Sequence, residues 1–341
     1  MNILIDIGHP AHVHLFRCFA HDMLKQGHRV LFTCRDKEFE IALLKANGFD
    51  FVCFGKKYKS TWGKIWGLVK FDWMELRTCW RFKPDVLLSH GSMYAAHAAW
   101  LYGKPHISFE DTYNFEQIRL YEPFTKVILT ADYEHPFISK KERHYAGYHE
   151  LAYLHPNRFT PDKTVLGELG VGENDKYVLL RFVSWNATHD AGHKGMSYEN
   201  KIKAVEAFSK YAKVFISSEK ELPDELKKYK LPTAPERVHD VMAFASMIFG
   251  ESATMVSEGV VLGVPGVYMD NTGRYYTTEQ EKRYGMCWNY SESEEDQQKA
   301  IVKGVEILSK GVDLSGYQRM MEDKIDVTAY LEDVVNEWVK K

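Results

Sequence analysis

The sequence predicts an α/β protein built from two doubly wound domains in series, and three observations carry that prediction. From Asn2 onward short apolar strands alternate with amphipathic helices, several ending at Gly, which is the pattern of a parallel sheet covered on both faces. The alternation breaks over residues 144–163, a stretch rich in aromatics, Pro and Asn, and restarts with an apolar strand at 177–183. A chain of 341 residues is long for one domain and natural for two of about 150 to 170 each. The expected boundaries are a first domain at 1–145, a linker at 146–163, a second domain at 164–325 and a C-terminal helix at 326–341.

Taken in order, residues 2–7 form a buried strand, and the helix after it places Leu15, Phe19 and Met23 at four-residue spacing. Strand 29–34, helix 37–47 closed by Gly48, strand 51–54, a long helix over 62–82 and strand 85–89 follow. Helix 92–102 closed by Gly103, strand 106–109, helix 115–121 and strand 126–130 complete the first half. The second half reads as strand 177–183, helix 198–211, strand 213–217, a Pro- and Lys-rich excursion, helix 236–245 and strand 246–249. Helix 253–262, strand 266–269 and helices 277–285, 294–309, 315–324 and 326–340 end the chain. Two such halves are expected to face one another across a cleft, because ligands of open α/β sheets bind beyond the carboxyl ends of the strands.

Composition excludes several classes. A formal net charge of -3 gives no footprint for nucleic acid. The cysteines Cys18, Cys34, Cys53, Cys79 and Cys287 are odd in number, scattered and without a C-x-x-C pair, so neither a disulfide framework nor a zinc knuckle is implied and a reducing cytoplasm is expected. The opening MNILIDIGHP is too short an apolar run for a signal peptide, and no stretch approaches the roughly 20 residues of a membrane span.

The most informative stretch is Gly250 to Pro265, GESATMVSEGVVLGVP. It reads as a strand end, a turn at Gly250, and a helix that opens with Ser252, Ala253 and Thr254 and closes at Gly263 and Pro265. A helix begun this way offers free amides and the positive end of its dipole to an anion such as a pyrophosphate. Glu258, one turn beyond Thr254 on the same face, suits ribose hydroxyls. Ordinary capping and dipole compensation explain the same residues without a ligand. The run resembles the nucleotide-sugar motif of GT-B glycosyltransferases and of the non-hydrolysing UDP-N-acetylglucosamine 2-epimerases. That resemblance implies a GT-B fold of two Rossmann-like domains, with Ser252, Ala253 and Thr254 beside the phosphates and Glu258 on the ribose. The epimerases carry two adjacent acids here, whereas Gly259 follows Glu258, which favours a transferase.

Other loops fall at strand ends where they are expected to meet the ligand. His12, in the loop His9 to His14, matches the histidine of a Gly-Gly-His sequence in the lipid-linked N-acetylglucosaminyltransferase of peptidoglycan synthesis, with Pro10 and Ala11 where the glycines stand. His12 is a candidate general base or a helix cap. Gly91-Ser92-Met93 is a ligand-facing turn or a cap, and Glu110 and Asp111, at the end of strand 106–109, are read either as acid/base groups or, for Asp111, as the cap of the next helix. From the second half, Ser184, Asn186 and His189 follow the strand 177–183, and the resemblance puts them on the donor, His189 as a catalytic candidate. Arg181 is a candidate partner of a phosphate or of an acid, and the resemblance implies that Ser217, Ser218 and His239 lie toward the base and that Asn271, Thr272, Glu279 and Gln280 are candidates for the donor sugar.

Along 62–82, Trp62, Trp66, Val69, Trp73, Leu76 and Trp80 fall at alternating three- and four-residue steps beside Lys64, Lys70, Arg77 and Arg81. The preferred reading is a core-facing stripe with a solvated basic face, and the competing one an interfacial helix in peripheral contact with anionic lipid. The whole predicts a cytoplasmic, metal-independent enzyme without a cofactor. It would move a sugar from a nucleotide-diphosphate donor, UDP-linked by resemblance, to a saccharide or lipid-linked acceptor in surface polysaccharide synthesis. Epimerisation of a UDP-sugar is the nearest alternative. A metal-dependent hydrolase using His12 and His14 with His9, or a nucleotide-sugar binder without catalysis, are the alternatives of other classes.

Overall fold

The computed structural model describes residues 1–37, 39–56, 58, 61–182, 195–218 and 221–340, with only the backbone for residues 61, 62, 64 and 65. The chain divides into two compact units, Met1–Arg158 with Ile325–Lys341, and Phe159–Lys324.

In the first unit β1 (Asn2–Ile7), α1 (Pro10–Lys25), β2 (Arg29–Asp36), α2 (Glu40–Ala46), β3 (Phe51–Lys56) and α3 (Thr61–Phe82) lead to β4 (Val86–His90). Then come α4 (Met93–Tyr102), β5 (His106–Phe109), α5 (Phe115–Tyr121), β6 (Val127–Ala131), β7 (Glu142–Tyr145) and α6 (Leu151–Leu154). Every strand pairing is parallel, in the order β3-β2-β1-β4-β5-β6-β7. The order reverses between β1 and β4, so the loops after these two strands diverge to opposite faces and leave a crevice at the carboxyl edge. Helix α1 starts because His9 caps it through the Ala11 amide and Pro10 supplies a preset φ at the first helical position. Its buried Val13, Phe16, Phe19, Ala20 and Met23 cover the sheet.

In the second unit α7 (Thr164–Leu169), β8 (Tyr177–Arg181), α8 (Tyr198–Phe208), β9 (Lys213–Ser217), α9 (Val238–Ala243), β10 (Met247–Gly250) and α10 (Ala253–Val261) are followed by β11 (Gly266–Met269), α11 (Tyr275–Lys282), β12 (Cys287–Tyr290), α12 (Glu294–Lys310) and α13 (Ser315–Asp323). Its sheet runs β12-β11-β10-β8-β9, again parallel throughout, with the reversal between β8 and β10. One core cluster, including Val178, Leu180, Phe208, Ile216, Phe249, Val267 and Ile307, fills the space between this sheet and its helices. Helix α14 (Val327–Lys340) then returns to the first unit.

The α/β class and the doubly wound halves are as the sequence predicts. Four elements lay below its reach: β7, β12, α6 and α7. The segment ERHY of β7 is polar and follows β6 through an irregular stretch, so nothing in its periodicity marks a strand. The aromatic-rich stretch after it is not a surface wrap: Tyr148 and Leu151 to Leu154 are buried, the Thr328 hydroxyl of α14 donates to the Ala152 carbonyl at 2.7 Å, and the Ile325 amide donates to Ala146 O at 2.8 Å.

The core-facing reading of 62–82 holds at Leu76 and is otherwise corrected among the described side chains. Trp66, Val69, Trp73 and Trp80 are exposed, and the side of α3 that meets the protein carries Phe71, Glu75, Leu76 and Cys79. The helix has two apolar stripes, and the one made of smaller residues is the one that fits against the close-packed Ala95, Ala98 and Ala99 of α4.

Two positions test this architecture. A Cβ on Gly259 would lie 2.5 Å from the Ile248 Cγ1 of β10, so only glycine lets α10 sit this close to its sheet. Gly259→Ala is expected to lower stability by about 1–3 kcal/mol through overpacking, read as a lower denaturant midpoint. His106 is fully buried between the Ser89 hydroxyl and the Thr125 hydroxyl, both at 2.9 Å, and burial pushes its pKa down to about 3. The fold holds the neutral ring, so its contribution is complete above the ordinary 6.5 and is lost as pH falls from there toward 3. Unfolding measured across that window should show a steep loss of stability that His106→Gln makes shallower.

Candidate functional site

The reversal point of the first sheet carries a cluster of imidazoles. His12, in the first turn of α1, accepts the Gly8 amide on Nδ1 at 3.2 Å and stacks on His90, at the end of β4, with ring centroids 4.6 Å apart. His90 Nε2 lies 2.9 Å from Asp111 Oδ1, and His149 Nδ1 lies 3.0 Å from Asp111 Oδ2. Asp111 thus bridges a residue at the end of β4 and another between β7 and α6. The His149 ring is held edge-on to Phe109 and parallel to Tyr145.

Electrostatics sort these groups. Burial alone would raise the Asp111 pKa, but His149 and His90, by charge and hydrogen bonding, override it and hold the carboxyl well below its usual range. Burial opposes charge on His90, yet Asp111 and then Glu110 raise it. Burial first, and then His90 and His9, lower His12 well below 6.5. Ionised Asp111 only accepts, so His90 donates from Nε2 and His149 from Nδ1. The lone pair of a neutral His149 is then on Nε2, a buried atom with no hydrogen-bond partner among the described residues. His12, whose Nδ1 already accepts, carries its proton on Nε2 when neutral; it is set up to donate a hydrogen bond and not to remove a proton.

The surrounding loops are cross-tied. Asp6 of β1 accepts from the Ser92 hydroxyl, the Arg35 guanidinium and, at 2.9 Å, the Thr33 hydroxyl. Ser92 caps α4, its amide donates to Ser89 Oγ at 3.1 Å, and the Gly91 amide donates to Ser108 Oγ at 2.9 Å, so His90 sits in a pinned turn. Glu110 is one of these ties: it takes the Thr112 and Tyr113 amides at 2.8 and 2.9 Å and the Tyr121 hydroxyl at 2.6 Å. Its lone pairs organise the loop, which holds Tyr113 at a φ of 53°. Asp111 caps nothing, since Asn114 caps α5. His14 is apart from this cluster, against Tyr153 and 3.3 Å from Arg17. Among the described residues the set placed to share a divalent ion is His90, Asp111 and His149, whose ligand atoms lie within 4.8 Å of one another, and not His9, His12 and His14.

The second sheet's reversal point carries the expected helix start. Gly250 has φ 154° and pairs with Arg181; a Cβ there would fall 2.0 Å from the Arg181 carbonyl oxygen, so glycine is obligatory. Ser252 caps α10, with the Met255 amide at 3.4 Å, and Ala253 and Thr254 form the first turn. Arg181 Nη1 reaches Ser217 Oγ at 3.4 Å, which gathers the ends of β8, β9 and β10. Glu258 is buried and accepts from His239 Nε2 at 2.9 Å, with Phe159 edge-on to that imidazole. Gln280 is also inward, donating to Ser257 Oγ at 2.8 Å.

The sugar candidates are less gathered. Asn271 exchanges hydrogen bonds with Glu292, both 2.9 Å, and Thr272 donates its amide to Asp270 at 2.6 Å. Glu279 pairs with buried Lys324 at 3.1 Å and with Arg283 at 3.3 Å. Ser184, Asn186 and His189 lie outside the described residues. Sequence reasoning missed His90 and His149. His90 follows strand 85–89 directly and could have been found by extending it one residue, while His149 stood in the segment read as linker.

A protein-family profile described as a protein of unknown function, DUF354, matches residues 1–276. The chain belongs to the DUF354 family. No curated protein is similar to this DUF354 member in sequence at a significant level. Solved structures share its fold. The UDP-GlcNAc 2-epimerase from Neisseria meningitidis bound to UDP-GlcNAc is 15% identical with a TM-score of 0.67, over 98% of this chain and 99% of that one. The UDP-GlcNAc 2-epimerase from Methanocaldococcus jannaschii is 13% identical with a TM-score of 0.68, over 99% and 100%. MurG of Acinetobacter baumannii is 13% identical with a TM-score of 0.63, over 98% and 99%. The DUF354 chain therefore has the GT-B fold of two Rossmann-like units.

Replacing Asp111 with Asn removes the charge that raises His90 while keeping the shape. In metal-free protein, imidazole nitrogen NMR should show the His90 pKa falling in Asp111→Asn, and an unchanged value would mean that Asp111 does not set it.

Proposed function

We propose that this DUF354 protein is a glycosyltransferase that uses a nucleoside-diphosphate sugar. The observation that carries the reading is the Asp111–His149 pair, a carboxylate-oriented imidazole whose buried Nε2 has no hydrogen-bond partner among the described residues, packed on His90 of the reversal point. His149 Nε2 takes the proton of an acceptor hydroxyl as its oxygen forms a bond to the anomeric carbon. The bond from that carbon to the diphosphate oxygen breaks, and the electron pair leaves with the nucleoside diphosphate. Asp111 stabilises the imidazolium so formed, and His12 Nε2–H donates to an acceptor oxygen.

In the second unit the first-turn amides of α10 and the Arg181 guanidinium receive the diphosphate, and Glu258, oriented by His239, receives the ribose. A UDP donor is supported by the fold shared with the UDP-GlcNAc-bound epimerase. Epimerisation of such a sugar is the second reading, favoured by a donor on His12 and an acceptor on His149 that both pack against His90.

Differential scanning fluorimetry and calorimetry with UDP, GDP, CMP and their sugars, in chelator, test the donor half. One nucleotide should stabilise the wild type saturably, and Glu258→Ala should abolish that effect. Product analysis with the donor so identified separates free nucleoside diphosphate plus a glycosylated acceptor from an epimerised nucleotide sugar. His149→Ala should lower turnover by about 10²–10⁴-fold with nucleotide binding retained. Stabilisation by a divalent cation alone, lost in His149→Ala, with no nucleotide bound, would replace this reading with a metal centre at His90, Asp111 and His149.

A further inference from the structure

Helices α3, α4 and α5 form one layer on a face of the first sheet. His97 of α4 ties them together, with Nδ1 at 3.0 Å from Asp72 of α3 and Nε2 at 2.9 Å from the Leu120 carbonyl of α5. The outer side of this layer is unusually apolar. Trp66, Val69, Trp73 and Trp80 of α3 and Trp100 and Leu101 of α4 are each 50–62% exposed. A scattered exposed Leu needs no explanation, but four tryptophans on one layer do. Trp73 and Trp80 already pack edge to face at 5.4 Å, so α3 presents an aromatic ridge.

The ridge is cationic as well. Residues 66, 69, 73, 77 and 80 follow one another at steps of three and four, which sets Arg77 in the same line as the tryptophans, with exposed Arg81 beside it. Lys70 reaches back over the Tyr58 ring at 5.5 Å. The carboxylates on these helices are Asp72, held by His97, Glu75, fully buried, and Glu116 at the start of α5. Among the described residues Arg77 and Arg81 form no ion pair, and an acid near this end of the helix, Asp50, lines one pocket with Arg81.

We propose that this layer docks on an anionic lipid bilayer, with the indoles in the headgroup region and Arg77 and Arg81 on lipid phosphates. Indole rings are amphipathic and favour the membrane–water boundary, and each nearby basic residue adds attraction to acidic lipid. A second copy of the chain is a poorer occupant, because a two-fold contact would lay the same arginine line against itself. No described helix is long and apolar enough to cross a membrane, so the attachment is peripheral. A bilayer-anchored acceptor follows, and that last step alone rests on the transferase reading.

Co-sedimentation of the full chain with phosphatidylcholine vesicles and with phosphatidylglycerol-rich vesicles tests the docking without any assay of activity. The wild type should bind the anionic vesicles, with a blue shift of tryptophan emission, and high salt should weaken the binding. The Trp66→Ser/Trp73→Ser/Trp80→Ser variant and the Arg77→Glu/Arg81→Glu variant should each bind about tenfold more weakly or worse. Because these side chains are exposed, circular dichroism and the melting temperature should match the wild type. Absence of binding to either vesicle would overturn the proposal. So would a wild-type dimer that becomes monomeric in the tryptophan variant with no lipid effect, which would give the surface to a second copy.

Discussion

A sheet in which every strand runs the same way delivers every carboxyl end to one edge, and both candidate sites in this protein depend on that constraint. Parallel pairing forces each connection to cross back over a face of the sheet, so residues distant in sequence end as neighbours. Where the order reverses, the two adjacent loops leave in opposite directions and open a crevice. His12 and His90 meet at such a point between β1 and β4, and Gly250 and Arg181 at the corresponding point between β10 and β8.

Holding charge at a buried edge has a cost that the structure meets with paired groups. Asp111 is placed between two imidazoles, Glu258 against His239, and Asp6 among Arg35, Thr33 and Ser92. Glu75 meets it differently: burial first, and then Asp6, raises its pKa well above the usual carboxyl range, which favours the neutral acid beside Thr33. These pairs do more than neutralise. They fix which nitrogen of each imidazole carries a proton, and that decides whether a ring can donate or accept. His12 illustrates it, since the same residue type in the same loop would be a base if Gly8 did not occupy its Nδ1.

Glycine decides how closely elements approach. Gly250 lets the end of β10 pass the Arg181 carbonyl, Gly259 lets α10 lie against Ile248, and Gly147 leaves room for Val327 of α14, whose Cγ2 would be 2.7 Å from a Cβ there. The last contact brings the C-terminal helix against the segment that carries His149. The Gly259 packing also gives a physical reason why a second acid does not follow Glu258: the position faces the sheet and has no space for a side chain.

The sequence by itself determined the class of the fold and most of its elements, because apolar periodicity and Gly or Ser punctuation are local properties written in neighbouring residues. It also determined the helix start at Ser252, since a cap and its turn span only a few positions. The tertiary structure decided what depends on distant pairing. It brought His149 to Asp111 through an edge strand with no periodic signal, and it turned Glu110 inward to saturate its own loop. It also chose between two apolar stripes of α3, burying Phe71, Leu76 and Cys79 and leaving Trp66, Trp73 and Trp80 outside. Both stripes satisfy the same helical period, and only the shape of the opposing surface, the small side chains of α4, could select one.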